Sequence, residues 1–302
     1  MNESRHSVHI LIATGGAPHS ALALETALNL APADARLIVL SVAPAEARRA
    51  RAEQILQEAE AEAALAGFAI ETEVRIGRTA PEIVRCAADR HVDLIVIGER
   101  PRHRLRTRLL GSVTTYVAEH APCSVLIAKE AQRPIHRVLI CDSGGGTPPV
   151  VRLYAESPWL HRLTHAAQVR LLHVMSQIAA APGVPAGQLS ADAAQLIAGG
   201  APEGKLLAHN LLALQAEGYQ VEPVVRHGLV VDEIMAEMRE GNYDLLIIGA
   251  HRENGWQRYL LTDVARAIIS RANRPVLLLR QAKPVPGTTF RKSLQNAAQH
   301  LL

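Results

Sequence analysis

The sequence predicts an α/β protein of two tandem domains, each a doubly wound, five-stranded parallel sheet with helices on both faces. Three observations predict it. Residues 65–98 (LAGFAIETEVRIGRTAPEIVRCAADRHVDLIVIG) and 216–249 (AEGYQVEPVVRHGLVVDEIMAEMREGNYDLLIIG) align without a gap at an offset of 151. Solenoid repeats run roughly 20 to 50 residues, so this period marks a duplicated domain. In both copies short apolar runs alternate with helix-length periodic segments, the pattern of a parallel sheet wound by crossovers. Aromatic residues make up only 3% of the chain against a hydrophobic content of 48%. The cores must therefore be Leu, Ile, Val and Ala, as in sheets buried on both faces beneath Ala-rich helices.

The elements of the first copy come in order. Val8 to Ala13 is an apolar, β-branched run that ends in Thr14-Gly15-Gly16, and Leu22 to Leu30 is apolar at helical spacing; together they predict strand, turn and helix. Leu37 to Val42 is a second buried strand, and the Ala/Glu/Arg segment 45–66 is a helix stopped by Gly67. Ile70 to Ile76 alternates as a third strand. Thr79-Ala80-Pro81-Glu82 has the form of a capping box at the head of a third helix. Asp93 to Gly98 is the fourth strand, Gly111-Ser112 opens a fourth helix running to His120, and Ser124 to Ala128 is the fifth strand.

The second copy repeats the plan, with strands expected near 137–141, 169–174, 220–226, 244–248 and 275–279. The first strands match at an offset of 128 (Ile10-Leu11-Ile12 with Val138-Leu139-Ile140), so the second copy carries insertions. Residues 177–204, rich in Ala, Gly and Pro, are read as a long surface loop. The junction falls at Gln132 to Pro134, which divides the chain into domains 1–132 and 133–282 and a tail, 283–302.

Composition excludes several classes. The net charge of +3 makes no general polyanion binder. Cys86, Cys123 and Cys141 have neither metal-ligand nor redox spacing, which predicts reduced, structural thiols in a cytoplasmic protein with no metal site of its own. No apolar run reaches the 18 or so residues of a membrane span, and no signal-peptide stretch opens the chain, so no membrane partner is expected. The basic segment after Gly98 lacks interleaved aromatics and any recognition helix, which argues against nucleic acid.

An open parallel sheet binds ligands beyond the carboxyl ends of its strands, where the winding reverses. In the first copy that crevice is flanked by Thr14-Gly15-Gly16 and by the segment after Gly98. Five arginines, at positions 100, 102, 104, 106 and 108, lie between this strand end and the Gly111-Ser112 helix start, where free amides and the helix dipole attract anions. On these residues the chain resembles a tandem universal stress protein, a family with a Rossmann-like, adenine nucleotide alpha hydrolase-like fold. Members that bind ATP carry a glycine, two residues, a second glycine, nine residues and then Gly-Ser or Gly-Thr, with an aspartate ending the first strand. Here Gly98, Gly111 and Ser112 keep the spacing, Pro101 replaces the second glycine and removes an N–H, and Thr14 stands where the aspartate would be, offering only a hydroxyl. The second copy has Asp142 at its strand end, but Thr262-Asp263-Val264 replaces Gly111-Ser112-Val113, setting a negative charge where phosphates would meet the helix.

The resemblance implies ATP or AMP in the first domain only, with magnesium entering solely alongside the nucleotide, and contacts from Ala13, Thr14, Gly15, Val42, Gly98, Arg100, Gly111, Ser112 and Val113. It also implies that Val125-Leu126-Ile127 and Val276-Leu277-Leu278 pair across a pseudo-twofold, making a pseudo-dimer within the chain and allowing a homodimer of chains. Two functions remain open: a stress-response regulatory protein that binds adenine nucleotide, with a degenerate second domain, or a protein-interaction and dimerisation module with protein partners not identified by sequence and no nucleotide. A hydrolase needs a positioned base beside the phosphates, and only Glu99 is near, so no catalytic residue is assigned. Simpler readings stand beside these: Ser112 as a helix N-cap, Gly98 as a turn glycine, Asp142 as a turn stabiliser, and Arg75 and Arg226 as ion-pair residues at the interface.

Overall fold

The computed structural model describes residues 7–99, 110–129, 135–142, 150–155, 157–164, 167–176, 191–200, 202–250 and 262–280. In the first half, strands β1 (His9–Ala13), β2 (Arg36–Ala43), β3 (Ile70–Ile76), β4 (Leu94–Gly98) and β5 (Ser124–Ala128) alternate with helices α1 (Pro18–Leu30), α2 (Arg49–Leu65), α3 (Thr79–Asp89) and α4 (Ser112–His120). The second half contains β6 (Arg137–Asp142), α5 (Val150–Ala155), α6 (Pro158–Thr164), β7 (Gln168–Met175), α7 (Ala193–Gly199), α8 (Pro202–Ala216), β8 (Val221–His227), α9 (Val230–Gly241), β9 (Leu245–Gly249), α10 (Asp263–Arg271) and β10 (Val276–Leu279). The predicted junction at Gln132 to Pro134 and the predicted tail, 283–302, lie outside the described residues.

The two five-stranded sheets are one. Strand order is β3-β2-β1-β4-β5-β10-β9-β6-β7-β8, parallel within each half and antiparallel at the seam, where Val276, Leu277 and Leu278 face Ile127, Leu126 and Val125. The pairing of the two fifth strands is as expected, and it removes two exposed edges at once. Alternation along each strand sends residues to two cores: Ile10 and Ile12 join the layer under α1, α2, α5 and α8, whereas Leu11 joins the layer under α3, α4, α9 and α10. Both cores run through the seam, Leu126 and Leu277 on one face and Val125 and Leu278 on the other. Arg162 of α6 also pairs with Asp34, tying the halves on the α1 side.

Most residues matched between the copies turn out to hold the fold. The Asp93 carboxylate accepts the His9 amide at 2.9 Å, and Asp244 accepts those of His136 and Arg137 at 2.9 and 3.0 Å, so each aspartate ties the start of its fourth strand to the first. Gly67 and Gly218 stop α2 and α8 with φ of +81° and +87°, a region that costs other residues steric strain. Arg75 bonds Glu73 at 2.6 Å and Asp89 at 2.9 Å, and Arg226 bonds Glu237 at 2.7 Å. These pairs lie within each half at the outer strands β3 and β8, not at the interface, because those strands are the ones farthest from the seam.

Three local expectations are corrected. Thr79 is the first helical residue of α3 rather than its cap; Arg78 is the N-cap and makes no side-chain bond there. Glu82 is drawn instead to Arg85, at 2.5 Å, and to Arg75. Ser112 likewise is not a cap but the first residue of α4, after Gly111. Within the expected loop 177–204, α7 forms at Ala193–Gly199, nucleated by a reciprocal capping box in which the Asp192 carboxylate accepts the Gln195 amide at 2.8 Å and Gln195 Oε1 accepts the Asp192 amide at 3.0 Å. Residues 177–190 of that range lie outside the described residues.

Candidate functional site

The carboxyl ends of β1 and β4, neighbours where the winding reverses, flank the crevice in the first half. Ala13 sits in register between Leu40 and Ile97, and the Thr14 amide donates to the Leu40 carbonyl at 2.9 Å. Ser20, in the first turn of α1 and buried, organises the turn between β1 and α1: its Oγ accepts the amides of Gly15 at 3.2 Å and Ala17 at 3.0 Å, and donates to the Ala17 carbonyl at 2.7 Å. The Thr14 hydroxyl stands 3.4 Å from the same oxygen, the weakest of these contacts. Sequence reasoning missed Ser20, although a serine at a helix start just beyond a strand end is a visible cue. Val42 lies near the end of β2, opposite Arg75, half-buried over the α3/α4 core.

Gly98 and Gly111 occupy the same motif for different reasons. A Cβ on Gly98 would lie 1.6 Å from the His19 carbonyl oxygen, so α1 runs directly against the end of β4 and only glycine fits. Among the described residues, a Cβ on Gly111 would meet nothing nearer than Thr114 Oγ1 at 3.7 Å. Gly111 is the N-cap of α4 with φ −62° and ψ 146°, a conformation open to any residue, and among the described residues no side chain caps the helix. Ser112 and Val113 are exposed there. Among the described residues, the first amides of α4 thus have no side-chain cap, the arrangement that favours an anion. Arg100 and the other four arginines lie outside the described residues.

The second half differs at each of these points. Thr262 caps α10, its hydroxyl accepting the Ala265 amide at 3.2 Å, and Asp263 is exposed in the first turn. Asp142, at the end of β6, is buried and accepts a 2.6 Å bond from Asn210 of α8, itself 2% exposed. Its carboxylate is thereby tied to α8, while the residues that follow it, 143–149, lie outside the described residues. A groove of about 300 Å³ lined by Arg137, Arg170, Gln215 and Tyr219 lies at the opposite, strand-start end of this half, away from either crevice.

The buried titratable groups with shifted pKa values are structural in character. Burial pushes the Cys86 and Cys123 thiols up to about 12 and raises Cys141 as well, so none is a ready thiolate. Burial pulls Lys129 below the usual lysine range, opposed by the Glu99 carboxylate. Among the described residues no group of His, Cys, Asp or Glu is placed to hold a metal ion, and no helix is long and apolar enough to cross a membrane.

The family model described as Universal stress protein family matches residues 8–129 and again residues 135–280. The chain belongs to the universal stress protein family. Universal stress protein YxiE of Bacillus subtilis is 38% identical over 76 residues, 25% of this chain and 51% of that protein. Universal stress protein Sll1388 of Synechocystis is 40% identical over 63 residues, 21% of this chain and 41% of the relative. The chain thus spans about half or less of the curated universal stress proteins it matches. A solved universal stress protein from Archaeoglobus fulgidus superposes with a TM-score of 0.70 at 19% identity, covering 91% of this chain and 99% of the other, a likeness of fold across the whole tandem arrangement.

Proposed function

We propose that this universal stress protein is a cytoplasmic regulatory protein that binds one adenine nucleotide, ATP or AMP, in the crevice of its first half, while the second half is degenerate for nucleotide and completes the sheet. The observation that carries the reading is the asymmetry between the two equivalent helix starts. Among the described residues, the first amides of α4 follow Gly111 without a side-chain cap, whereas α10 is capped by its own Thr262 and bears Asp263. A phosphate finds donors in one and a satisfied, negatively charged terminus in the other. Gly111, Ser112 and Val113 would hold phosphates, with Arg100 adding charge. Ala13, Thr14, Gly15 and Val42 would line the base and ribose side, and magnesium would come with the phosphates. The reading is of binding rather than turnover, since Glu99 is engaged in an ion pair with Lys129 and is not free to act as a base.

One observation favours the other reading, an interaction module that needs no nucleotide. Ser20 Oγ already accepts the Gly15 and Ala17 amides, so the turn after β1 is satisfied from within. Denaturing the purified protein, identifying released nucleotide by chromatography and titrating the emptied protein with ATP, ADP and AMP separates the two. About one nucleotide per chain is the expected result. No nucleotide and no heat of titration would overturn the nucleotide reading in favour of the interaction module.

A further inference from the structure

The seam between the halves is bolted by two cations that occupy equivalent places. Lys129 directly succeeds β5, and Arg280 directly succeeds β10. The Lys129 ammonium donates to the carbonyl of Ile269 near the end of α10, and the Arg280 guanidinium donates to the carbonyls of Ala118 and Ala121 at the end of α4. Each cation therefore reaches into the other half and meets carbonyls that a helix end leaves without intrahelical donors, at the negative pole of the helix dipole.

The symmetry breaks at one residue. Directly after Gly98 comes Glu99, whose carboxylate accepts from Lys129, whereas directly after Gly249 comes Ala250. The Glu99 amide donates to the Ala128 carbonyl at 3.1 Å, which fixes its backbone at the end of β4. Glu99 and Lys129 are 14% and 10% exposed, so the pair is poorly screened by solvent. The half that keeps the phosphate-binding spacing is thus also the half with a carboxylate beside its crevice, and its neutralising ammonium is steered by a carbonyl from the half that has lost that spacing.

We propose that Lys129 is a positioning residue for the nucleotide crevice, held by Ile269 of the second half so that its ammonium cancels the Glu99 carboxylate, which would otherwise repel phosphate. The inference rests on the nucleotide reading and assigns the second half a task in that site: completing its charge balance across the seam. Repulsion from an uncompensated carboxylate grows with the charge on the ligand, so the signature is a change in the ratio of ATP to AMP affinity rather than a uniform loss.

The test is a calorimetric cycle on the full chain, titrating wild type, Glu99→Gln, Lys129→Met and the double variant with ATP, ADP and AMP at low salt. Lys129→Met is expected to weaken ATP about tenfold and AMP only about twofold to threefold, as one uncompensated negative charge at the crevice would. Glu99→Gln, nearly isosteric, should tighten ATP more than AMP, and the double variant should return both to within about twofold of wild type. A Lys129→Met loss that is equal for all three nucleotides, or is not recovered in the double variant, would overturn the proposal and leave Lys129 as a fastener of the seam. Should Lys129→Met not fold, Glu99→Gln alone decides, because an unchanged ATP to AMP ratio overturns the proposal. Wild type binding nucleotide with a flat cycle removes this inference only; wild type binding none removes the nucleotide reading with it.

Discussion

Replacing Gly98 by alanine tests whether the glycine at the end of β4 serves the fold or a ligand. Its new Cβ would sit 1.6 Å from the His19 carbonyl oxygen and 2.6 Å from the carbonyl carbon. A relaxed C···O contact is about 3.3 Å, so the first turn of α1 would have to withdraw by roughly 1.7 Å. That turn cannot withdraw freely, because Ser20 ties it to the β1 turn and Ala23, Leu24 and Ala27 are packed in the core behind it. Overpacking of this kind costs about 1–3 kcal/mol with side chains as neighbours, and here the obstacle is backbone, so the upper end, about 3 kcal/mol, is expected. At roughly 2–4 °C per kcal/mol for chains of this size, the melting temperature should fall by about 6–12 °C. The second half supplies the control: among the described residues, a Cβ on Gly249 would come nearest to Val150, its Cβ at 3.4 Å, an ordinary contact. Gly249→Ala should accordingly cost less than about 1 kcal/mol. Calorimetric scans of both variants under one protocol give the comparison without assuming two-state unfolding of a tandem protein. Gly98→Ala melting within about 2 °C of Gly249→Ala would refute the packing argument and return that glycine to the ligand.

Two further outcomes come from the same geometry. Gly111→Leu should keep the melting temperature within about 2 °C of wild type, because φ at this position suits any residue and no atom of the described residues comes nearer than 3.7 Å to its Cβ, while weakening nucleotide at least about tenfold by covering the α4 amides; unchanged affinity in a titration would remove Gly111 from the site. Glu237, 3% exposed, feels burial that raises its pKa, but bonds from Tyr243 at 2.5 Å and Arg226 at 2.7 Å, with Arg170 nearby, outweigh it and hold the carboxyl below its ordinary value. Its contribution to stability is therefore complete above the unfolded-state value and lost as pH falls through the lower, folded-state value. Glu237→Gln should cost about 2–4 kcal/mol at neutral pH, discounted because Arg226 keeps Glu240 and Glu233, and should flatten the acid limb of a melting-temperature profile; a parallel limb would contradict the assignment.

Much of the architecture was legible because its signals are short in range. The ungapped match of 65–98 with 216–249 located one copy of β3, α3 and β4 and its twin β8, α9 and β9, and apolar runs found the remaining strands to within a residue or two. What misled was chemistry that local spacing leaves ambiguous. Thr79-x-x-Glu82 has the spelling of a capping box, yet Glu82 is claimed by Arg75 and Arg85; Asp192-x-x-Gln195 has the spelling and is one, inside a stretch whose Ala, Gly and Pro content suggested loop. Of the residues expected to form the binding site, the strand ends bring Ala13, Thr14, Gly15, Val42 and Gly98 to the carboxyl edge of the sheet, with Gly111, Ser112 and Val113 at the start of α4.

By itself the sequence determined the duplication, the ten strands, the winding and the family, because alternation, turn residues and motif spacing act over a few positions and survive translation into backbone. The tertiary structure alone decided that Gly98 answers to His19, that Ser20 satisfies the β1 turn, and that Glu99 and Lys129 meet under a carbonyl of the other half. Each of these depends on groups brought together from distant or unpatterned positions, and which partner a charge or an open amide finds is set by packing, not by its neighbours in the chain.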